Sequence, residues 1–131
     1  MIARIYRGLP SSGKTTAAKN AVAAEAMVAA DDFRDYTLPY DATRNAYAHE
    51  SCFAKWLRLV RSQHEIIAVH NTFVTRDEMR RYIDAAKARG RTVEIIDLFD
   101  GGLTDSQLAE RSSHDVPCDV IAQMRSRYEI V

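Results

Sequence analysis

The sequence predicts an α/β fold in which a parallel β-sheet lies between two layers of helices. Short apolar, β-branched segments alternate along the chain with longer segments of helical periodicity, and this alternation is typical of parallel sheets. The 131 residues suit a single domain, 1–131, and a hydrophobic fraction of 47% is sufficient for a packed core. Lysine plus arginine and aspartate plus glutamate are balanced at 18 each, so no net charge points to nucleic acid.

The predicted elements follow one another in a regular order. Apolar runs predict strands over residues 2–6, 26–30, 66–69 and 91–99. Helical spacing predicts helices over residues 16–24, 43–62, 75–90 and 104–111, with a last helix from about Pro117. Thr75 and Glu78 have the spacing of a capping box, and Gly90 is a typical helix terminator. The expected sheet has four or five strands.

Cysteine usage and hydropathy indicate the compartment. Cys52 and Cys118 are far apart and lack metal-ligand spacing, which favours a reducing cytoplasm over a disulfide framework. No apolar run approaches the roughly 18 residues of a membrane span, and the chain enters a strand at once, so no membrane partner is expected. The segment 76–91 is locally basic, which suits either a solvated helix face or a nucleic-acid face.

A phosphate-binding loop is the strongest motif. Gly8, Gly13, Lys14 and Thr15 have the spacing G-x-x-x-x-G-K-[ST], between an apolar strand and a helix-forming segment. Glycine lets backbone N–H groups converge on an anion, lysine reaches the outer phosphates, and the threonine hydroxyl binds Mg²⁺. We therefore expect ATP and Mg²⁺, with the nucleotide held by Gly8, Pro10, Ser11, Ser12, Gly13, Lys14, Thr15 and Thr16.

Polar residues follow the second predicted strand, where ligands of parallel sheets bind. Asp31 and Asp32 are adjacent, so one side chain can face the cleft while the other caps the turn. A carboxylate in the cleft can accept a hydroxyl proton or contact Mg²⁺, and Arg34 can hold an acceptor phosphate with two parallel hydrogen bonds. A capping turn with solvated charges is the alternative interpretation of the same residues.

The segment near the C-terminus predicts a short helix and a polar loop. Arg111 is placed to act as a lid arginine that closes on the phosphates, although a surface ion pair would suit the same residue. His114 lies in the polar loop and by itself indicates no role.

Four stretches together resemble the polynucleotide kinase-like branch of the P-loop kinases. They are RGLPSSGKTT, ADDFR, IIAVHNTFVTRDEMRRYIDAAKARGRTVEII and LAERSSHDVPCDVIAQMRSRYE, in the family's order along nearly the whole chain. The resemblance implies a three-layer P-loop kinase fold with a short helical lid and a hydroxyl acceptor on nucleic acid. It also implies that Asp31 is the general base, Arg34 the acceptor clamp, and Arg111 the lid arginine, with Thr15 and Asp31 at the metal.

The chain departs from this family after the third strand. An Asp-Asn-Thr-Asn-like run is usual there, whereas this chain has His70-Asn71-Thr72-Phe73. Asn71 remains a candidate for acceptor binding. Phe73 suits the hydrophobic core, and it is also a candidate for stacking on an acceptor base.

The resemblance leaves two DNA acceptors and two further alternatives. Small phage kinases of this branch phosphorylate the hydroxymethyl group of 5-hydroxymethyluracil in DNA, whereas the end-healing kinases act on a 5′-hydroxyl. A phage relative would work in the host cytoplasm. A kinase for a nucleoside or a sugar, and a non-catalytic ATP-binding regulatory module, remain as alternatives.

Overall fold

The structure, a computed structural model, describes residues 1–112 and 114–130. Its strands are β1 (Ile2–Arg7), β2 (Met27–Val28), β3 (Ile66–Asn71) and β4 (Thr92–Asp97). Its α-helices are α1 (Lys14–Ala21), α2 (Ala42–Val60), α3 (Arg76–Ala88), α4 (Asp105–Arg111) and α5 (Cys118–Arg127). Two 3₁₀-helices, Ala24–Ala26 and Ala30–Phe33, flank β2. Within the predicted lid segment 108–114, Ser113 lies outside the described residues.

The four strands of the described residues form one parallel sheet in the order β2-β3-β1-β4. The connection from β1 to β2 runs in the opposite direction to those from β2 to β3 and from β3 to β4. Because such crossovers are right-handed, α1 covers one face of the sheet, while α2 and α3 cover the other. The predicted three-layer α/β fold with a four-stranded parallel sheet is confirmed.

The largest difference from the predicted elements is at the second strand. Residues 26–30 were expected to be extended, but β2 comprises only Met27–Val28. The chain turns into a 3₁₀-helix on each side of it, and the second one, Ala30–Phe33, contains both aspartates. The small buried side chains of Ala26 and Ala30 permit these tight turns close to the sheet. The acidic residues therefore sit on a helical turn rather than on a strand end.

The longest helix, α2, anchors the core. Trp56 is fully buried, and its indole Nε1 donates a hydrogen bond to the carbonyl of Tyr82 at 3.0 Å. On α3, the capping box predicted for Thr75 and Glu78 is present. None of the helices in the described part of the chain has the length and apolar character needed to cross a membrane.

The basic segment 76–91 is largely engaged within the chain. Arg91 is buried and donates hydrogen bonds to five backbone carbonyls around the end of α2 and the start of β1. Arg81 pairs with Glu50 at 3.0 Å and stacks over Phe53 at 4.3 Å. The guanidinium of Arg76 donates to the carbonyl of Ile130. These three arginines therefore do not form a free basic face.

Candidate active site

The phosphate-binding loop joins the end of β1 to the start of α1. Ser11 and Gly13 adopt positive φ angles of 65° and 103°, and these turns direct successive backbone N–H groups toward the same side. A Cβ at Gly8 would collide with the hydroxyl of Ser12, so the first glycine of the motif is required for close packing of the loop. Ser12 Oγ is buried without a hydrogen-bond partner among the described residues. This cradle fits the phosphates of a nucleotide.

The Lys14 side chain lies at the phosphate-binding loop and has few polar contacts with the protein. Its ammonium donates one hydrogen bond, at 3.2 Å, to the carbonyl of Leu9. Burial lowers the pKa of Lys14 to about 8, and the negative charge of Asp31 offsets part of this effect. A half-buried cation with a single carbonyl partner among the described residues is arranged to receive an anion. The influence of Asp31 on this pKa indicates that the carboxylate lies close enough to the loop lysine for their charges to interact.

Thr15 and His70 meet behind the loop. Thr15 Oγ1 lies 3.3 Å from His70 Nδ1, within hydrogen-bond range. Burial is the largest cause that lowers the pKa of His70, and the charge of Lys14 acts in the same direction, so the imidazole is neutral at pH 7. His70 therefore stands beside the predicted Mg²⁺ ligand where the resembled family has a carboxylate.

The donors near the loop fit a kinase-type magnesium ion. Mg²⁺ in such sites is held by few protein oxygens together with phosphate oxygens and water. Thr15 supplies a hydroxyl at the start of α1, and Asp31, whose charge acts on Lys14, supplies a carboxylate. The described residues contain no group of three or more His, Cys, Asp or Glu side chains arranged around a cation. Most of the coordination would therefore come from the nucleotide and water.

The two aspartates have different surroundings. Asp32 turns back, and its Oδ2 accepts a hydrogen bond at 2.9 Å from the backbone N–H of Ala29. Asp31 Oδ1 accepts hydrogen bonds from Arg34 Nη1 at 2.7 Å and from the Tyr36 hydroxyl at 2.5 Å. One carboxylate thus caps the 3₁₀-helix, while the other belongs to a side-chain network in the cleft.

The charge of Asp31 is set by this network. Burial by itself raises the pKa of Asp31, but the hydrogen bond from Tyr36 and the positive charge of Arg34 outweigh it. The net pKa is below the ordinary value of 3.8, so the carboxylate is ionised at neutral pH. Arg34 is fixed in turn, because its Nη2 donates to Asn45 at 2.6 Å and to His49 at 2.9 Å.

Two aromatic residues complete the network. The rings of Tyr36 and His114 are stacked with centroids 3.6 Å apart and planes 7° from parallel. His114 Nε2 lies 3.9 Å from Asp31 Oδ2. Sequence reasoning did not select Tyr36, and it assigned no role to His114. The two rings are far apart in sequence, and no spacing rule connects the loop after the second strand with the lid.

The structure corrects the interpretation of the third strand's end. Phe73 is 4% exposed, and its ring packs edge-on against Tyr82 in the core, so it offers no face to an acceptor base. Asn71 is also buried, and its Oδ1 accepts a hydrogen bond at 2.9 Å from the backbone N–H of Ala30. Asn71 thus supports the turn that carries Asp31 and does not project toward an acceptor.

The lid helices pack on the phosphate-binding loop. Leu9, Leu108 and Ile121 are fully buried and form a small hydrophobic cluster separate from the main core. The loop between β4 and α4 touches the cradle as well, because a Cβ on Gly101 would lie 2.5 Å from the carbonyl oxygen of Ser12. Arg111 is exposed in the last turn of α4. Arg111, the predicted lid arginine, is therefore carried by a helix whose buried face contacts the loop.

Comparisons with known proteins place the chain in a family. A family model described as "AAA domain" matches residues 4–131. The chain belongs to this AAA domain family. It is a kinase-like family of P-loop NTPases, in agreement with the loop and cleft described above. No curated protein sequence matches the chain.

Solved structures support the fold of this AAA domain protein. A gluconokinase from Sinorhizobium meliloti 1021 superimposes with a TM-score of 0.62 at 17% sequence identity. The match covers 98% of this chain and 75% of the gluconokinase chain. At this identity the similarity establishes a P-loop kinase fold. Neither comparison separates a polynucleotide kinase from other kinases of this fold.

Proposed function

We propose that this protein is an ATP- and Mg²⁺-dependent kinase that transfers the γ-phosphoryl group to a hydroxyl acceptor. The observation that carries the proposal is the ionised carboxylate of Asp31 in the same cleft as the Lys14 ammonium. A P-loop supplies phosphate binding alone, whereas a carboxylate facing the phosphates adds a base for an acceptor hydroxyl. A nucleotide switch has no need for such a base.

Each residue then has a defined task. The backbone N–H groups of the loop and Lys14 hold the phosphates, and Thr15 contributes a metal ligand. Bound Mg²⁺ would neutralise charge on the phosphates. Asp31 accepts the hydroxyl proton as the acceptor oxygen bonds to the γ-phosphorus and the bond to the ADP oxygen breaks. Arg111 closes from the lid onto the developing charge.

Arg34 links the base to the acceptor. In the structure it donates to Asp31, Asn45 and His49, so its guanidinium is already oriented toward the cleft. A phosphate beside the acceptor hydroxyl would compete for the same donors with bidentate geometry. Acceptor binding would therefore exchange the Asp31 contact for a phosphate contact and leave the carboxylate free to take a proton.

DNA is the acceptor that we propose first, either at a 5′-hydroxyl or at the hydroxymethyl group of 5-hydroxymethyluracil. The resemblance of the Asp31–Arg34 turn to the polynucleotide kinase-like branch supports it. Exposed aromatic rings in the chain segment that follows Arg34 also support it, since Tyr40 is 82% exposed and Tyr47 is 66% exposed. Planar rings on the surface suit stacking with bases.

A small-molecule acceptor is the second candidate. The fold similarity to a gluconokinase, whose name states a sugar-acid substrate, favours it. The engagement of Arg76, Arg81 and Arg91 within the chain also reduces the positive charge that the segment 76–91 can offer to DNA. A sugar or nucleoside kinase would use the same Asp31 base.

The test is transfer from γ-labelled ATP with Mg²⁺ to four acceptors. These are a 5′-hydroxyl oligonucleotide, an end-blocked oligonucleotide with internal 5-hydroxymethyluracil, D-gluconate and thymidine. Label in either oligonucleotide supports the DNA proposal, whereas label only in D-gluconate or thymidine replaces it with the second candidate. ATP binding without transfer to any of the four would support a regulatory module and contradict the kinase proposal.

The variant Asp31→Asn tests the base. We expect it to reduce kcat for the labelled acceptor by at least about 100-fold, because a positioned base contributes roughly 10²–10⁴-fold. ATP affinity should stay close to that of the wild type. Asp32→Asn is the matched control, since Asp32 caps a turn. Normal turnover in Asp31→Asn would refute the assignment of the base.

A further inference from the structure

The two oxygens of the Asp31 carboxylate are not equivalent. Oδ1 accepts hydrogen bonds from Tyr36 at 2.5 Å and from Arg34 at 2.7 Å. In the described part of the chain, Oδ2 accepts no hydrogen bond, and it faces His114 Nε2 across 3.9 Å. The oxygen available to an incoming hydroxyl is therefore the one that faces the lid histidine.

The imidazole of His114 is held in place by Tyr36. The Tyr36 and His114 rings stack with centroids 3.6 Å apart and nearly parallel planes, which fixes the plane of the imidazole. The Tyr36 hydroxyl also donates a hydrogen bond to the carboxylate of Asp31. Tyr36 thus couples the position of His114 to that of Asp31. The arrangement joins the segment after β2 to the lid segment after α4.

The gap between the two atoms fits one hydroxyl oxygen. An oxygen about 2.8 Å from both Asp31 Oδ2 and His114 Nε2 would complete a triangle on the observed 3.9 Å base, with an angle of about 90° at that oxygen. Such an oxygen donates its proton to Oδ2 and accepts a hydrogen bond from Nε2–H. One lone pair remains for attack on phosphorus.

We propose that the acceptor hydroxyl binds between Asp31 and His114, and that His114 is an acceptor-positioning residue supplied by the lid. This inference rests on the proposed function, because it requires Asp31 to be the base. During transfer the hydroxyl proton passes to Asp31 Oδ2 as the acceptor oxygen bonds to the γ-phosphorus and the bond to the ADP oxygen breaks, while His114 orients the acceptor oxygen and takes no part in the proton transfer. The lid would then orient the nucleophile as well as neutralise the phosphates.

Two substitutions at His114 separate positioning from packing. His114→Phe keeps a flat ring for stacking on Tyr36 but removes the N–H, whereas His114→Gln places an amide N–H near the former Nε2. His64→Phe is the matched control, because His64 precedes β3 and so lies near the amino ends of the parallel strands, whereas the cleft lies at their carboxyl ends. Steady-state kinetics are measured with whichever of the 5′-hydroxyl oligonucleotide, the 5-hydroxymethyluracil oligonucleotide, D-gluconate or thymidine accepts label.

We expect His114→Phe to lower kcat/KM for the acceptor by roughly 10-fold, as for the loss of one hydrogen bond, with KM for ATP unchanged. His114→Gln should recover most of this loss, and His64→Phe should match the wild type. The inference is overturned if His114→Phe retains wild-type kcat/KM while Asp31→Asn is inactive, an outcome that leaves the proposed function intact. It is also overturned if both His114 variants lose activity in proportion to lost stability, since His114 would then be a structural ion-pair partner. Turnover in Asp31→Asn would refute the base and this inference together.

Discussion

Replacing Lys14 with methionine should make the protein more stable while abolishing phosphoryl transfer. The half-buried ammonium has one hydrogen bond among the described residues, to Leu9, and its partial burial lowers its pKa from the ordinary value of 10.5 to about 8. This difference means that a charged Lys14 costs roughly 3 kcal/mol in the folded protein at pH 7. Methionine has a similar length and no charge, so it removes this cost.

The expected gain is somewhat smaller than the full cost of the charge. The hydrogen bond to Leu9 is lost in the variant, which subtracts about 0.5–1 kcal/mol. We therefore expect Lys14→Met to raise the free energy of unfolding by about 2–3 kcal/mol at pH 7. Urea unfolding followed by the fluorescence of Trp56, the single tryptophan of the chain and fully buried, measures this difference.

The pH dependence of the free energy of unfolding independently tests the predicted direction of this change. The folded-state pKa lies below the unfolded-state value, so the unfolded chain binds more protons between pH 8 and 10.5. The free energy of unfolding of the wild type should therefore rise with pH in this window, because Lys14 loses its unfavourable charge. Lys14→Met has no such group and should not show this rise. The advantage of the variant should shrink to roughly 1 kcal/mol or less at pH 9.5.

The matched control is Lys19→Met, at an exposed position on the same helix α1. Its stability should stay within about 0.5 kcal/mol of the wild type at both pH values. The reasoning is refuted if Lys14→Met is no more stable than the wild type at pH 7. It is equally refuted if the difference between the two proteins does not change by pH 9.5.

Two further substitutions test the supports of the site and of the core. Gly101→Ala should weaken ATP binding by roughly 10-fold or more in calorimetric titration, because its Cβ would lie 2.5 Å from the Ser12 carbonyl oxygen and displace the loop. Gly102→Ala, also at positive φ but in open space, should retain ATP affinity, and equal losses in both variants would contradict the contact. Arg91→Lys should lower the free energy of unfolding by about 2–4 kcal/mol, because an ammonium cannot reach the carbonyls that the guanidinium binds. Arg89→Lys, at an exposed neighbouring position, should change it by less than about 0.5 kcal/mol, and an equally small effect at Arg91 would show that the buried network contributes little.

Local patterns predicted the fold well because its determinants are local. The loop motif lies within eight residues between a strand and a helix, and three of the described α-helices begin at a side-chain cap, at Asp41, Thr75 and Thr104. The alternation of strands and helices sets the parallel sheet and thereby the edge where the cleft forms. These features do not require knowledge of which distant residues meet.

The remaining parts of the site depend on contacts between distant segments. Whether Asp31 or Asp32 faces the cleft depends on the 3₁₀-helix Ala30–Phe33, and the alanine-rich sequence before it contains no signal that predicts this turn. The pairing of Tyr36 with His114 joins segments more than seventy residues apart. His114 lies in one of the stretches that carry the family resemblance, but nothing in the local sequence of either residue indicates that the two rings meet. Phe73 stands where the resembled family has a polar residue, but burial places it in the core.

Three cations, Arg7, Arg91 and Lys14, differ in how far the protein compensates their charge. Arg7 is fully buried, but it donates to Asp97 at 2.9 Å and to backbone carbonyls near the ends of β3 and of the chain. Arg91 binds five carbonyls. Lys14, by contrast, has a single carbonyl partner among the described residues. Protein oxygens therefore surround the charges of Arg7 and Arg91. The ammonium of Lys14, at the phosphate-binding loop, has fewer polar partners in the folded protein. Lys14→Met would remove both the desolvation cost of this ammonium and the positive charge that a bound phosphate would contact, so the gain in stability and the loss of transfer should occur together.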